Sequence, residues 1–182
     1  RCTSSAASDV YKRQSLIFWL FLDRDSNLIK FRFNLINYSL IALLILSYIQ
    51  IILGAFVSGL DAGKIYQTWP LMGNSYLPND LIAKDINSFF EFNNHSLVQF
   101  YHRNLAYLIL IYALFLALYI FRNKIFHLYS SMKIVLFFLF LQSCLGILTL
   151  LTDLNIFIAS SHQITSVLLV FSALNLYYLR VK

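Results

Sequence analysis

The sequence predicts an all-α transmembrane protein, a four-helix bundle made of two repeated helical hairpins. Of its 182 residues, 59% are hydrophobic and 12% are charged, which is about half the charged share of a soluble domain. The apolar residues form four long runs without charge, each long enough to cross a hydrocarbon core of about 30 Å. An unusually apolar soluble bundle is the alternative, but runs of this length favour a membrane protein.

The charge-free runs define the predicted spans. The four helices are expected at about residues 36–57, 97–121, 134–151 and 156–179. They form one domain over residues 36–180, with an outer loop at 58–96. Residues 1–14 are polar and Ser-rich, and we expect a non-native or disordered segment there. Residues 15–35 are interpreted as the end of a truncated preceding helix and a cytoplasmic linker, because the apolar stretch 15–22 reaches about 12 Å as a helix.

The basic residues of the connectors predict the orientation in the membrane. They occur before the first span, between the second and third, and after the fourth, at Arg24, Lys30, Arg32, Arg122, Lys124, Lys133, Arg180 and Lys182. Because such residues stay on the cytoplasmic side, we expect both ends there, or on the matrix side of a mitochondrial inner membrane. A bacterial plasma membrane is the first expectation. This pattern explains the net charge of +6 without nucleic acid, and we expect no nucleic-acid binding.

A short pattern occurs twice and indicates an internal repeat. It consists of Gln50, Gly54 and Asp61 in the first copy and Gln142, Gly146 and Asp153 in the second, 92 residues apart. Each copy precedes a helix that carries a histidine near its outer end. We therefore expect two hairpins related by an axis along the membrane normal, with the small glycines allowing helices to pack closely.

Two histidines fall inside the predicted spans and form the candidate site. His102 and His162 lie about five and six residues from the outer ends of their helices, roughly 8–9 Å below the outer boundary. Ionisable residues at such a depth usually face the bundle interior and serve a function; the alternative is that each hydrogen-bonds a neighbouring helix. No Cys, Asp or Glu is expected at that level, so the pair suits the two axial positions of a haem iron better than a zinc ion.

Three neighbours of the histidines are further candidates for cofactor binding. Arg103 is expected to neutralise a haem propionate, with a snorkelling interfacial arginine as the alternative. Gln99 and Gln163 would bind groups around the haem or cross-link helices. A haem iron with two histidines has no open position and suits electron transfer. A bis-histidine cytochrome b-type membrane electron carrier without its own substrate is therefore one reading, and a transporter or assembly fragment whose histidines only pack is another.

Three stretches of the chain resemble the haem A synthase family. They are residues 53–78, 93–107 and 141–163, which include Gly-Leu-Asp-Ala-Gly, Trp-Pro-Leu-Met and Gln-Phe-x-His-Arg. The resemblance implies that the chain is the C-terminal half of a pseudo-symmetric eight-helix protein. In that family this half holds haem b through histidines that match His102 and His162.

The resemblance also implies an activity and partners. The family oxidises a ring methyl of haem O to the formyl group of haem A for terminal oxidase biogenesis. Substrate oxidation is expected in the N-terminal half, so no catalytic residue is assigned here and the chain alone is expected to be inactive. The implied partners are haem O and haem A, an electron acceptor in the membrane, haem O synthase and oxidase assembly proteins.

Overall fold

The computed structural model describes residues 3–23, 34–78 and 92–181, and these form an all-helical protein. The helices are α1 (Thr3–Asp23), α2 (Leu35–Gly59), α3 (His95–Arg122), α4 (Tyr129–Leu151) and α5 (Ile156–Val181). Short 3-10 turns at Ala62–Lys64 and Phe126–Leu128 follow α2 and precede α4. No strand occurs in the described parts of the chain, and the predicted all-α class is confirmed.

Four of the helices are long and apolar enough to cross a membrane. Each of α2 to α5 contains one predicted span and extends beyond at least one of its ends. The largest difference is at α4, which begins five residues before the predicted start at residue 134. Lys133 interrupts the apolar run, but the backbone hydrogen bonds of the helix continue through it and its side chain is exposed. The protein is therefore an integral membrane protein, with helices that project past the apolar core.

The helices pack as two hairpins. Helix α2 contacts α3, α4 contacts α5, and α2 and α5 form the main contact between the hairpins. Fully buried side chains concentrate at the ends of the bundle where α2 begins and α5 finishes, among them Leu40, Ile120, Met132, Val135 and Leu176. Near the opposite ends, residues 141–147 of α4 are all half-buried. The stretch of α4 that contacts His162 is therefore only partly enclosed, whereas the start of α3 is buried at Leu97 and Val98.

The internal repeat is visible in the backbone. Helices α2 and α4 end 92 residues apart, and each is followed by an aspartate with left-handed backbone, at φ 55° for Asp61 and φ 50° for Asp153. The two turns also meet, because a Cβ on Gly63 would lie 2.9 Å from Cδ2 of Leu154. A side chain at residue 63 would therefore have to displace the Leu154 methyl group. The two copies share the same helix ending as well as the same sequence pattern.

Helix α1 lies against the bundle beside α5. The rings of Phe18 and Phe171 stack with centroids 4.6 Å apart, and Trp19 contacts Tyr177 at 5.9 Å. This helix contains most of the polar segment together with the apolar stretch that follows it. The expectation that residues 1–14 are non-native or disordered stays a prediction. Arg24, Lys30, Arg32 and Lys182, which contributed to the predicted orientation, lie outside the described residues.

Candidate functional site

The two intramembrane histidines lie at nearly the same height in the bundle. His102 is seven residues from the first residue of α3, and His162 is six residues from the first residue of α5. At 1.5 Å per residue, both are roughly 10 Å along their helices. Each is half-buried. Both predicted residues therefore lie within the bundle at a similar height, and their approach to one another stays a prediction.

Each imidazole packs against a glycine of the preceding helix. A Cβ added to Gly54 would lie 3.1 Å from Cε1 of His102, and one added to Gly146 would lie 3.1 Å from Cε1 of His162. These distances are shorter than ordinary van der Waals contact, so a larger residue would displace the ring. The repeated glycines thus have a specific role, since they leave the space that the imidazoles occupy.

Each imidazole also contacts a glutamine of the same preceding helix. Nε2 of Gln50 lies 3.2 Å from Nδ1 and 3.4 Å from Nε2 of His102, and it donates to the carbonyl oxygen of His102 at 3.0 Å. Nε2 of Gln142 lies 3.3 Å from Nε2 of His162. Because each glutamine precedes its glycine by four residues, the two side chains share one helix face. The site therefore consists of two Gln–Gly–His sets, one from each hairpin.

Several buried polar atoms of these sets lack hydrogen-bond partners. Among the described residues, they include Oε1 of Gln50, Oε1 of Gln142 and Nδ1 of His162. Buried polar groups are normally paired, so unpaired atoms gathered around two imidazoles indicate a place for a ligand.

The donor set fits a haem better than a bare metal ion. No group of three or more His, Cys, Asp or Glu side chains comes together in the described part of the chain. A bare zinc ion takes three or four protein ligands, whereas a haem iron needs two because the porphyrin supplies the rest. Two imidazoles beside glycines, with buried polar atoms that lack partners next to them, fit this requirement.

The other predicted site residues do not all lie beside the histidines. Arg103 is buried and donates to the carbonyl oxygens of Thr68 at 2.8 Å and Tyr66 at 2.7 Å. Gln99, also buried, donates to the same Tyr66 oxygen at 2.9 Å. These two residues therefore hold the outer loop, and propionate binding by Arg103 stays a prediction. Gln163 is exposed next to His162, and its role as a cofactor ligand is likewise untested.

Further hydrogen bonds attach the same loop to α3. The indole Nε1 of Trp69 donates to the hydroxyl of Tyr107 at 2.9 Å, and the hydroxyl of Tyr76 donates to Oδ1 of Asn104. Inside the loop, the N–H of Gly73 donates to Oγ1 of Thr68 at 2.9 Å. The described part of the loop, residues 60–78, therefore covers the outer end of α3 close to His102.

Sequence reasoning missed the two glutamines that touch the histidines. Gln50 and Gln142 marked the repeat, but no contact with His102 or His162 was expected of them. The signal was present, since a polar residue one turn before a repeated glycine must lie on the glycine's side of the helix. Which residue of the partner helix meets that side depends on the packing.

Four apolar helices with a paired histidine site inside them define an integral membrane protein with a single candidate cofactor position in its described part. A comparison with protein families gives a more specific placement. The chain belongs to the family of cytochrome oxidase assembly proteins, whose family model matches residues 14–174.

The similar curated proteins carry the name heme A synthase. The protein of Pelagibacter ubique (strain HTCC1062) is 41% identical over 160 residues, which are 86% of this chain and 46% of that protein. The protein of Wolbachia pipientis subsp. Culex pipiens (strain wPip) is 41% identical over 173 residues, 91% of this chain and 49% of that protein. The chain spans about half the length of these relatives. The family resemblance noted from the sequence is confirmed.

Proposed function

We propose that this chain is part of a haem A synthase, a membrane oxidoreductase that converts haem O to haem A, and that it binds haem b through His102 and His162. The observation that carries the proposal is the pair of Gln–Gly–His sets at one depth in the bundle. The names of the relatives support the reaction. Haem O would be the substrate, haem A the product, and haem O synthase and oxidase assembly proteins the neighbours in the membrane.

The proposed reaction determines how many electrons and protons must be removed from the substrate. Conversion of a ring methyl to a formyl group, written with water as the oxygen donor, releases four electrons and four protons, and the electrons pass to an acceptor in the membrane. When bound, haem b supplies a one-electron redox centre. His102 and His162 would hold its iron and leave no position for substrate, so the methyl group would be oxidised away from this histidine pair.

The residues of this chain then have three tasks. His102 and His162 hold the iron, and Gly54 and Gly146 leave room for their rings. The outer loop, fixed to α3 by Arg103 and Gln99, covers the end of the helix nearest the site and limits access of water.

A bis-histidine electron carrier is the second candidate. It is favoured by the same two imidazoles, because they complete the coordination of an iron and leave no position for oxygen or substrate. The two candidates predict the same haem spectrum and differ in whether haem O is converted.

The ligand assignment is tested with His102→Ala and His162→Ala variants produced in membranes with haem available. The unsubstituted protein should show the absorption bands of a low-spin bis-imidazole haem, and each variant should lose them. His127→Ala is the matched control, because His127 is exposed in the connector between α3 and α4. Unchanged bands in both site variants would refute the assignment.

The reaction is tested by haem extraction. The full reading frame that contains this sequence is expressed in a bacterium that makes haem O, and the extracted haems are separated by chromatography. We expect haem A to accumulate. Haem b binding without any haem A would favour the electron carrier.

A further inference from the structure

We propose that Gln50 and Gln142 are positioning residues that orient the two imidazoles, Gln50 through the backbone of His102 and Gln142 as the acceptor of the ring N–H of His162 when the other ring nitrogen binds iron. This inference rests on the haem site proposed above and extends it to two residues that do not touch the iron. It begins from the position of the amides. Each lies on the glycine side of its helix and reaches the histidine of the neighbouring helix at 3.2–3.3 Å.

The chemistry of a ligating histidine requires such a partner. A neutral imidazole has one nitrogen that accepts and one that donates. The accepting nitrogen binds the metal, so the other carries a proton and, in a protein interior, needs an acceptor that also fixes the ring. At His162 the amide of Gln142 faces Nε2, whereas Nδ1 has no partner among the described residues. Nε2 would therefore carry the proton, and Nδ1 would be the nitrogen that binds iron.

Gln142 can supply the acceptor that this chemistry requires. The Oε1 atoms of Gln50 and Gln142 are both buried and unpaired in the described structure. Nitrogen and oxygen of a side-chain amide exchange places by a rotation of 180° with almost no change in shape. For Gln142 the rotation breaks no other side-chain hydrogen bond in the described structure. Its oxygen can therefore face the ring of His162.

Gln50 acts in a more constrained way. Its Nε2 donates to the carbonyl oxygen of His102 while it lies beside both ring nitrogens. The amide is thereby tied to the backbone that carries the imidazole, and this contact restricts rotation of the ring. The two sets are similar in sequence but unequal in hydrogen bonding.

A purely structural cross-link between helices explains these glutamines less well. A cross-link through the amide N–H would leave both buried oxygens unsatisfied, which destabilises a folded protein. The same sequence pattern occurs in both hairpins, 92 residues apart. At Gln142, an oxygen that accepts the N–H of the metal-bound imidazole removes that cost.

The test uses Gln50→Leu and Gln142→Leu in the haem-loaded protein. Haem affinity should fall roughly 10- to 100-fold in each, as for other partners of metal-binding histidines. In Gln142→Leu the midpoint potential of the haem should rise, because an imidazole without its acceptor is a weaker donor. In both variants the low-spin EPR signal, which reports the relative orientation of the ring planes, should change. Ser47→Ala and Ser143→Ala are the controls on the same helices, since each hydroxyl bonds its own helix backbone.

A second substitution separates positioning from packing. Gln142→Glu keeps an oxygen acceptor and strengthens it, so the midpoint potential should move below that of the unsubstituted protein, opposite to Gln142→Leu. This variant also carries the test if the leucine variants fail to accumulate in the membrane. Shifts in the same direction, or no shift, would overturn the inference.

The outcomes distinguish this inference from the proposed function. If the unsubstituted protein binds no bis-imidazole haem, the proposed haem site itself is wrong. If it binds haem and the glutamine variants keep its affinity, potential and EPR signal, the haem site stands and the role of Gln50 and Gln142 is refuted.

Discussion

At the scale of single residues, two glycines in the membrane helices occupy their positions because a neighbouring side chain leaves no room for a Cβ. Their own backbone conformation does not require glycine. Gly54 and Gly146 have helical backbone, where alanine would be favoured by about 1 kcal/mol, yet a Cβ at either would press on an imidazole at 3.1 Å. The sequence predicted these glycines as packing positions because they are small and repeated. It could not predict their partners, since the helix face that meets each glycine is set by the packing of the pair.

Replacing these glycines should weaken haem binding while leaving the helix intact. In Gly54→Ala or Gly146→Ala the imidazole must move by a few tenths of an ångström, and we expect haem affinity to fall by about tenfold, equivalent to about 1.4 kcal/mol. Titration of the protein with haem, followed by absorption, measures the loss. Gly59→Ala is the control, because a Cβ there meets nothing within 4 Å. Equal affinities in all three variants would show that the glycines do not shape the site.

At the scale of elements, the sequence predicted the positions of the four described spanning helices but not their full lengths. A run without charges reports the part of a helix that can lie in hydrocarbon, whereas the helix continues as long as its backbone hydrogen bonds do. Helix α4 thus extends through Lys133 back to Tyr129. The start of α3 follows a capping residue, because Oδ1 of Asn94 accepts from the N–H of Leu97 at 3.1 Å, and such a cap is a signal that the sequence does contain.

The attachment of the outer loop to α3 could not be predicted in the same way. Arg103 follows a predicted ligand, and its sequence position suggested a haem propionate or the membrane interface. In the structure its guanidinium reaches carbonyl oxygens more than 30 residues away, at Tyr66 and Thr68. Backbone carbonyls are present at every residue, so no pattern in the sequence identifies the ones that a buried arginine will bind.

Arg103 should therefore stabilise the loop. In Arg103→Gln the loop carbonyls lose their charged donors, and we expect the free energy of unfolding to fall by roughly 1–3 kcal/mol. Hydrogen exchange of the amides at residues 66–73 should accelerate. The measurements are denaturant unfolding in detergent and hydrogen–deuterium exchange. Arg122→Gln, at an exposed position at the other end of α3, should change neither, and an equal effect in both variants would contradict the assigned role.

At the scale of the whole molecule, the repeat organises both the fold and the site. Both hairpins contribute a helix with a Gln-x-x-x-Gly pattern and a helix with a histidine, and their equivalent turns meet at Gly63 and Leu154. The common depth of the histidines was predictable from the lengths of the spans. Their approach to one another stays a prediction from the repeat, because an axis along the membrane normal turns equivalent faces toward each other.

The distribution of charge predicts the orientation of the molecule in the membrane. The exposed turn between α3 and α4 contains Arg122 and Lys124, whereas the turn after α4 contains Asp153 and no basic residue. Because basic connectors remain on the cytoplasmic side, the α3–α4 turn should face inward and the turn at Asp153 outward. Both histidines lie near the ends of their helices that start at the outward side, so the haem site should lie closer to the outer surface.

Labelling of single cysteines tests this orientation. Cys2 and Cys144 are first replaced by alanine, and Asn123→Cys or Thr152→Cys then places one thiol in an exposed turn at either end of the bundle. A membrane-impermeant maleimide should label Thr152→Cys in intact cells whose outer layers are permeable to it. It should label Asn123→Cys only after the membrane is opened, because that turn is flanked by basic residues that do not cross during insertion. The reverse pattern would place the histidines near the cytoplasmic surface, and a haem held there would exchange electrons with acceptors on the opposite side from the one expected here.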